Sequence, residues 1–335
     1  MIDLTTEYLG LKLKSPILVS SSPLTDSPEN IQRLEQAGAA AVVLPSIFEE
    51  QLTLESNALD RDLSRGTESF AESLSYFPAY ESYRQGHDAY LSHILRAKAV
   101  AGIPVLASLN GATAGGWVKF AKEIEQAGAD ALELNTYSLP TDPRVTSAAI
   151  EDGIVDLVRQ VKQSTTIPIA VKLSPQFTSI PHLAARLDKA GADALVLFNR
   201  FYQPDFDIEN LNVTPTLTLS RPEELLLRLH WTAILYGDLS ADIAVTGGVH
   251  SAQDVLKAIM AGGQVAMLAS ALLINGIPHL AVIQSDLLRW MEEHEYQSIR
   301  QMRGSLSRRS VPDASPFERG NYIKTLSSYT LRKPA

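Results

Sequence analysis

One phrase recurs along the chain and restricts its fold more than any other feature: a helical segment ending in Ala-Gly, followed at once by a short apolar run. It reads QAGAAAVVLPS at 36–46, QAGADALELN at 126–135, KAGADALVLFN at 189–199 and AGGQVAMLAS at 261–270. Glycine after a last helical turn takes the left-handed conformation without a Cβ clash and so ends the helix. The apolar run that follows is too short for a helix and suits a strand buried on both faces.

A second phrase interleaves with the first. GIPVLASLN at 102–110 and TIPIAVKLS at 166–174 each place Ile-Pro ahead of an apolar run, and proline is tolerated at the start of a strand. SPILVSSSP at 15–23 and ADIAVTGG at 241–248 are similar runs without that opening. Strands are therefore expected near 17–20, 41–45, 104–108, 131–134, 168–172, 194–197, 243–246 and 265–268, with amphipathic segments such as ENIQRLEQAG and HLAARLDKAG between them. Eight strands alternating with helices predict an α/β fold, a parallel (β/α)8 TIM barrel with right-handed connections. An open doubly wound sheet is the alternative. The count of eight and the missing GxGxxG turn after the first strand argue against it. The barrel is expected over residues 1–306 and a C-terminal extension over 307–335. TTEYLGLKLKS, alternating around Gly10, predicts an N-terminal hairpin that closes the barrel bottom. Two connections are too long for plain turns. One runs from about Ser46 to Asp88 and holds Phe70, Tyr76, Phe77, Tyr80 and Tyr83; the other runs from Asn199 to Ser220. Both follow strands and belong to the catalytic face.

Composition narrows the function. The 335 residues carry a formal charge of -9, which argues against nucleic acid as a partner. Without cysteine there is no disulfide, thiolate metal site, iron–sulfur ligation or cysteine nucleophile, and the seven histidines lack dense ligand spacing. The N-terminus does not read as a signal peptide. The uncharged stretch 258–285 is interrupted by Gly262, Gly263, Asn275, Gly276 and Pro278, so it reads as turn, buried strand, turn and helix rather than a membrane span. A cytoplasmic location without membrane contact is expected. Residues 296–335 hold eight Lys/Arg against two Asp/Glu, a formal +6, which predicts a basic tail packed on the acidic body or on a second subunit.

In a barrel, residues at strand C-termini face one shared site. Here these are Ser20 and Ser21, Ser46, Asn110, Asn135 with Ser138, Lys172, Asn199, Thr246-Gly247-Gly248 and Ala269-Ser270. Lys172 is the sharpest, because an apolar barrel strand rarely carries a lysine whose charge is unused. The small residues after the seventh and eighth strands let backbone N–H groups approach an anion, so a phosphate-bearing ligand is expected there. That alone does not separate a flavin mononucleotide from a sugar phosphate.

Four segments, in order and on the matching strands, resemble the dihydroorotate dehydrogenase family: LELNTYS, AVKLSP, VTGGVHSAQDVLKAIMAGGQVAMLASALL and EYQSIRQMRGSLS, within a match over about residues 5–306. The resemblance implies FMN. Lys172 would contact the N1/O2 edge of the flavin. Gly247, Gly248, Ala269 and Ser270 would hold its phosphate, and Ser20, Ser21, Ser46 and Thr246, with Asn110 beside them, would contact ribityl or ring atoms. Asn135 and Asn199 would bind substrate, and Ser138 stands where the family keeps its catalytic base. The chain departs from the family at Pro45, where one class has lysine, at SLSYFP (73–78), which lacks the asparagine of the family's substrate loop, and at Leu139-Pro140 in place of Pro-Asn. Arg200 is a new charge beside Asn199 that could bind a carboxylate.

The leading expectation is an FMN-dependent oxidoreductase acting on dihydroorotate or a related cyclic amide, in pyrimidine biosynthesis. Its alternatives are an accessory or electron-transfer flavoprotein without that activity, and a barrel isomerase, lyase or aldolase using Lys172 on a phosphorylated substrate. A homodimer and an electron-transfer partner subunit are expected. The absence of a membrane-anchoring helix ahead of the first strand argues against a quinone held in a bilayer.

Overall fold

A computed structural model describes residues 2–48, 86–110, 114–136 and 139–328, the side chains of 114–116 excepted. Ser138, the stretch SLSYFP and the five aromatic residues of the first long connection lie outside the described residues.

The chain opens with a hairpin of β1 (Thr6–Tyr8) and β2 (Leu11–Leu13). Its turn needs two left-handed residues, and Leu9 at φ 57° and Gly10 at φ 69° supply them. Eight parallel strands then close a barrel in chain order: β3 (Ile17–Val19), β4 (Val42–Phe48), β5 (Val105–Asn110), β6 (Ala131–Asn135), β7 (Ile169–Leu173), β8 (Ala194–Leu197), β11 (Asp242–Thr246) and β12 (Val265–Leu268). β9 (Asp205–Asp207) and β10 (Asn212–Thr214) form a small hairpin inside the connection from Asn199 to Ser220, where only a long loop is expected from the sequence. The glycines of the recurring phrase, Gly38, Gly128, Gly191 and Gly262, all stand at positive φ, as the helix-stop reading requires.

Every barrel strand is buried on both faces over most of its length, so there are two cores. The outer one joins strands to helices. The inner one is small and lies at the strand N-termini. There Ala131, Ala170, Ala194 and Ala244 pack with Leu18, Leu106 and Met267, and Tyr8 from the hairpin completes the cluster. Four alanines on neighbouring strands leave the volume that one tyrosine ring needs. The hairpin is tied to this end by Leu9 N–H donating to Asp242 Oδ2 at 2.7 Å and by Thr6 Oγ1 donating to the Gln264 carbonyl at 3.1 Å.

β4 differs from expectation. It continues through Pro45 and Ser46 to Phe48, and its register with β5 shifts between Val43 and Ser46. Proline cannot donate to a ladder, so the strand bulges there. Thr25 Oγ1 donates to the Val43 carbonyl at 2.8 Å. On β5, Tyr90 of α2 (His87–Val100; α1 is Pro28–Gln36) both accepts from Ser108 N–H at 2.8 Å and donates to its carbonyl at 3.1 Å. Ser46 therefore sits within a strand, not just past its end.

Beyond the barrel the chain packs back on the helical shell. Leu306 N–H donates to the Met260 carbonyl and Arg308 N–H to the Ala233 carbonyl. Arg308 pairs with Asp238 at 3.4 Å, and the rings of Phe317 and His230 stand 6.1 Å apart.

Candidate active site

Strand side chains alternate, so inward positions recur every second residue. Counting upward from the alanine layer gives Leu106, Ser108 and Asn110 on β5; Ala131, Glu133 and Asn135 on β6; and Ala170 and Lys172 on β7. Above an apolar floor the barrel interior becomes polar, and the polar side chains meet. Ser21 Oγ lies 3.4 Å from Ser46 Oγ, which lies 2.7 Å from Ser108 Oγ. Ser108 Oγ donates to Glu133 Oε1 at 3.5 Å, and Lys172 Nζ donates to the same oxygen at 3.2 Å. The chain of contacts thus crosses from β3 to β7. Glu133 is fully buried and Lys172 is 7% exposed.

Three groups in this region lack a hydrogen-bond partner among the described residues: Glu133 Oε2, Asn135 Oδ1 and Ser22 Oγ. A buried acceptor left unpaired costs about 1–3 kcal/mol. Asn135 ends β6 and is 6% exposed, so its side-chain oxygen is a buried acceptor without a partner among the described residues.

A second group forms after β11 and β12. Gly247 and Gly248 stand at φ 91° and 82°. A Cβ on Gly248 would lie 2.4 Å from the Leu225 backbone nitrogen, at the start of α6 (Leu225–Leu235; α3 is Ala114–Gln126, α4 Ser147–Ser164 and α5 Ile180–Ala190). Glycine is required by both its φ and its surroundings. Ser220 Oγ accepts from Gly248 N–H at 3.3 Å and donates to Ser270 Oγ at 2.9 Å. Arg228, 5% exposed, donates from Nε to the Thr246 carbonyl at 3.2 Å. Burial lowers its pKa from the ordinary guanidinium value. The helix after the glycines, α7 (Ala252–Ala261), starts at a capping box in which Ser251 Oγ accepts from Asp254 N–H and Asp254 accepts from Ser251 N–H.

The remaining positions stand at the same end. Ser20 N–H donates to the Leu268 carbonyl, closing the barrel seam beside Ala269. Asn110 ends β5, pairs in register with Asn135 and is 7% exposed. Asn199 N–H donates to the Leu173 carbonyl, and its Oδ1 accepts from Arg200 N–H. The Arg200 guanidinium grips Glu224 through Nε at 3.2 Å and Nη2 at 3.1 Å, with Nη1 buried and unpartnered among the described residues. Its charge is already met by a carboxylate of this chain.

Thus Ser20, Ser21, Ser46, Asn110, Asn135, Lys172, Asn199, Arg200, Thr246, Gly247, Gly248, Ala269 and Ser270 share the C-terminal mouth. Ser138 lies outside the described residues. Sequence reading at strand ends misses Ser108 and Glu133, which period-two counting back from Asn110 and Asn135 finds. Ser220 and Arg228 carry no comparable sequence signal.

The family model for dihydroorotate dehydrogenase matches residues 3–291. The chain belongs to the dihydroorotate dehydrogenase family. The family is named for an oxidoreductase acting on a CH–CH donor. Among its similar members is the dihydroorotate dehydrogenase B (NAD(+)) catalytic subunit of Thermoplasma acidophilum, 28% identical over 91% of this chain and 99% of that protein. The protein of the same name from Desulforudis audaxviator is 28% identical over 89% and 96%, and that from Pyrococcus abyssi 25% over 90% and 98%.

Proposed function

We propose that the chain is an FMN-dependent dehydrogenase that oxidises dihydroorotate, or a related cyclic amide, at a CH–CH bond. The observation that carries this reading is the pairing, at one barrel mouth, of a buried cation with an unpartnered amide oxygen, Lys172 and Asn135. The two-glycine turn supports it, since Gly247 and Gly248 at positive φ let the backbone after β11 approach a phosphate closely, beside Ser220 and Ser270. These residues fit an FMN. When bound, the flavin supplies the hydride acceptor.

The chain's own groups do the rest. Gly247, Gly248, Ala269 and Ser270, with Ser220, would hold the phosphate through backbone N–H and hydroxyl groups. Ser20, Ser21, Ser46, Asn110 and Thr246 would line the ribityl and ring. Lys172 would place positive charge where electron density collects. Asn135 and Asn199 would orient the substrate amide, and Ser138 would take the proton from the substrate carbon. Arg200 would meet a substrate carboxylate only through Nη1, because Glu224 holds its other edge.

The relatives are named as catalytic subunits of an NAD(+) enzyme. By that analogy electrons would leave through a partner subunit. Phe206, Ile208 and Leu211, 70–90% exposed on the β9–β10 hairpin, support an assembly in which two copies associate. No described helix is long and apolar enough to cross a membrane, which is consistent with a cytoplasmic enzyme of pyrimidine biosynthesis.

The test is anaerobic mixing of purified protein with dihydroorotate. Flavin absorbance near about 450 nm should bleach. Protein without flavin bands would overturn the cofactor. A flavin that dithionite reduces and dihydroorotate does not would overturn the substrate.

A further inference from the structure

We propose that Glu133 is the positioning residue of Lys172, fixing the direction of its ammonium within the polar layer of the barrel interior. The inference deepens the function proposed above and rests on its FMN.

Glu133 lies at the centre of β6 with no exposed surface. A carboxylate persists in such a place only where it is paired, because an unpaired buried charge forfeits its hydration with nothing to replace it. Its Oε1 is approached from two sides, by Lys172 Nζ at 3.2 Å and Ser108 Oγ at 3.5 Å. Ser108 is itself fixed by Ser46 Oγ at 2.7 Å and by Tyr90 at its backbone. One carboxylate oxygen is therefore held by groups from β5 and β7, the first of them braced from β4. Lysine is a compact cation on a flexible stem with three rotatable donors. With one donor committed to Glu133, the stem has a fixed direction and two donors remain for a ligand.

Glu133 stands two residues before Asn135, one layer deeper in the barrel, so it acts through Lys172 and not on substrate. Below it, the Tyr8 hydroxyl is also buried without a partner among the described residues. Burial first, then the charges of Glu133 and Asp242, holds that phenol well above its ordinary pKa. The phenol thus stays neutral beneath Glu133, and Lys172 is the carboxylate's sole cationic partner among the described residues.

The experiment compares Glu133→Gln, Lys172→Met and the double variant by the midpoint potential of bound FMN. If Glu133 aims Lys172, E133Q lowers the potential toward that of K172M, with reduced flavin bound about tenfold more weakly relative to oxidised, or about 30 mV for a two-electron couple. The double variant then matches K172M alone. A rise in E133Q would make Glu133 a mere negative charge beside the flavin, and an unchanged potential would make it packing; either overturns the proposal. Should E133Q fail to fold, Glu133→Asp keeps the charge with a shorter reach and should lower the potential by less; an unchanged or raised potential there overturns the proposal equally. A double-mutant cycle on urea unfolding of the FMN-free chain supplies a second readout. Losses smaller in the pair than in the sum support the coupling, and additive losses overturn it. If the wild-type chain binds no FMN, the proposed function fails, and the unfolding cycle alone decides the pairing.

Discussion

The two ends of the barrel are built from the same strands and do opposite things. At the N-terminal end Ala131, Ala170, Ala194 and Ala244 close on Tyr8 and Leu106, in a cluster sealed by the hairpin. Two residues further along the same strands stand Glu133, Lys172 and Thr246, and beyond them Asn135, whose oxygen has no partner among the described residues. One end spends its burial on packing. The other keeps buried polar groups whose cost a ligand can offset. The contrast shows that stability and chemistry can be separated along a strand by only two to four residues.

The largest effect is expected at the proposed base. Ser138→Ala should slow substrate-driven flavin reduction about 10²–10⁴-fold, the usual contribution of a general base, while flavin content stays unchanged. Stopped-flow absorbance measures it, and a wild-type rate would remove Ser138 from the mechanism. At the floor, Leu106→Ala should cost about 2–5 kcal/mol in urea unfolding with flavin content per folded molecule unaltered. Loss of flavin without loss of stability there would break the contrast between the ends.

Gly248→Ala sharpens it. The added Cβ meets the Leu225 backbone at 2.4 Å and the residue must keep φ 82°. The strain alone is about 1–2 kcal/mol, and FMN affinity, followed by ultrafiltration, should fall by more than the stability does. Equal losses would mean the turn is scaffold only.

The smallest effect lies on the helical shell. Burial pulls the His87 pKa down, but hydrogen bonds to Asp88 and Glu123 outweigh it and raise the value above the ordinary one. A histidine raised in the folded state contributes stability fully present below its unfolded pKa of about 6.5 and lost as pH rises through the folded value. Thermal melts across that window should show a shallow decline that Glu123→Gln flattens, with flavin binding unmoved.

Much of this was legible beforehand. All eight barrel strands fall within three residues of the positions read from the Ala-Gly phrase, the Ile-Pro openings and two similar apolar runs, because these signals are local. The hairpin around Gly10 is equally local. Ser46 is expected just past a strand at 41–45; the bulge that carries the strand onward goes with the shifted pairing to β5, beside the Thr25 bond to the Val43 carbonyl. Glu133 escaped a reading confined to strand ends, although its spacing from Asn135 marks it as inward-facing.

Taken alone, the sequence determined the closed parallel barrel and the end at which its polar residues collect, since helix stops and strand alternation are set by neighbours a few residues apart. Only the tertiary structure decided which of those residues meet. Lys172 reaches Glu133 across 39 positions, Ser46 reaches Ser108 across 62, and Arg200 is claimed by Glu224 across 24. Those distances follow from strand register and helix placement, which arise when the barrel closes and no local pattern encodes.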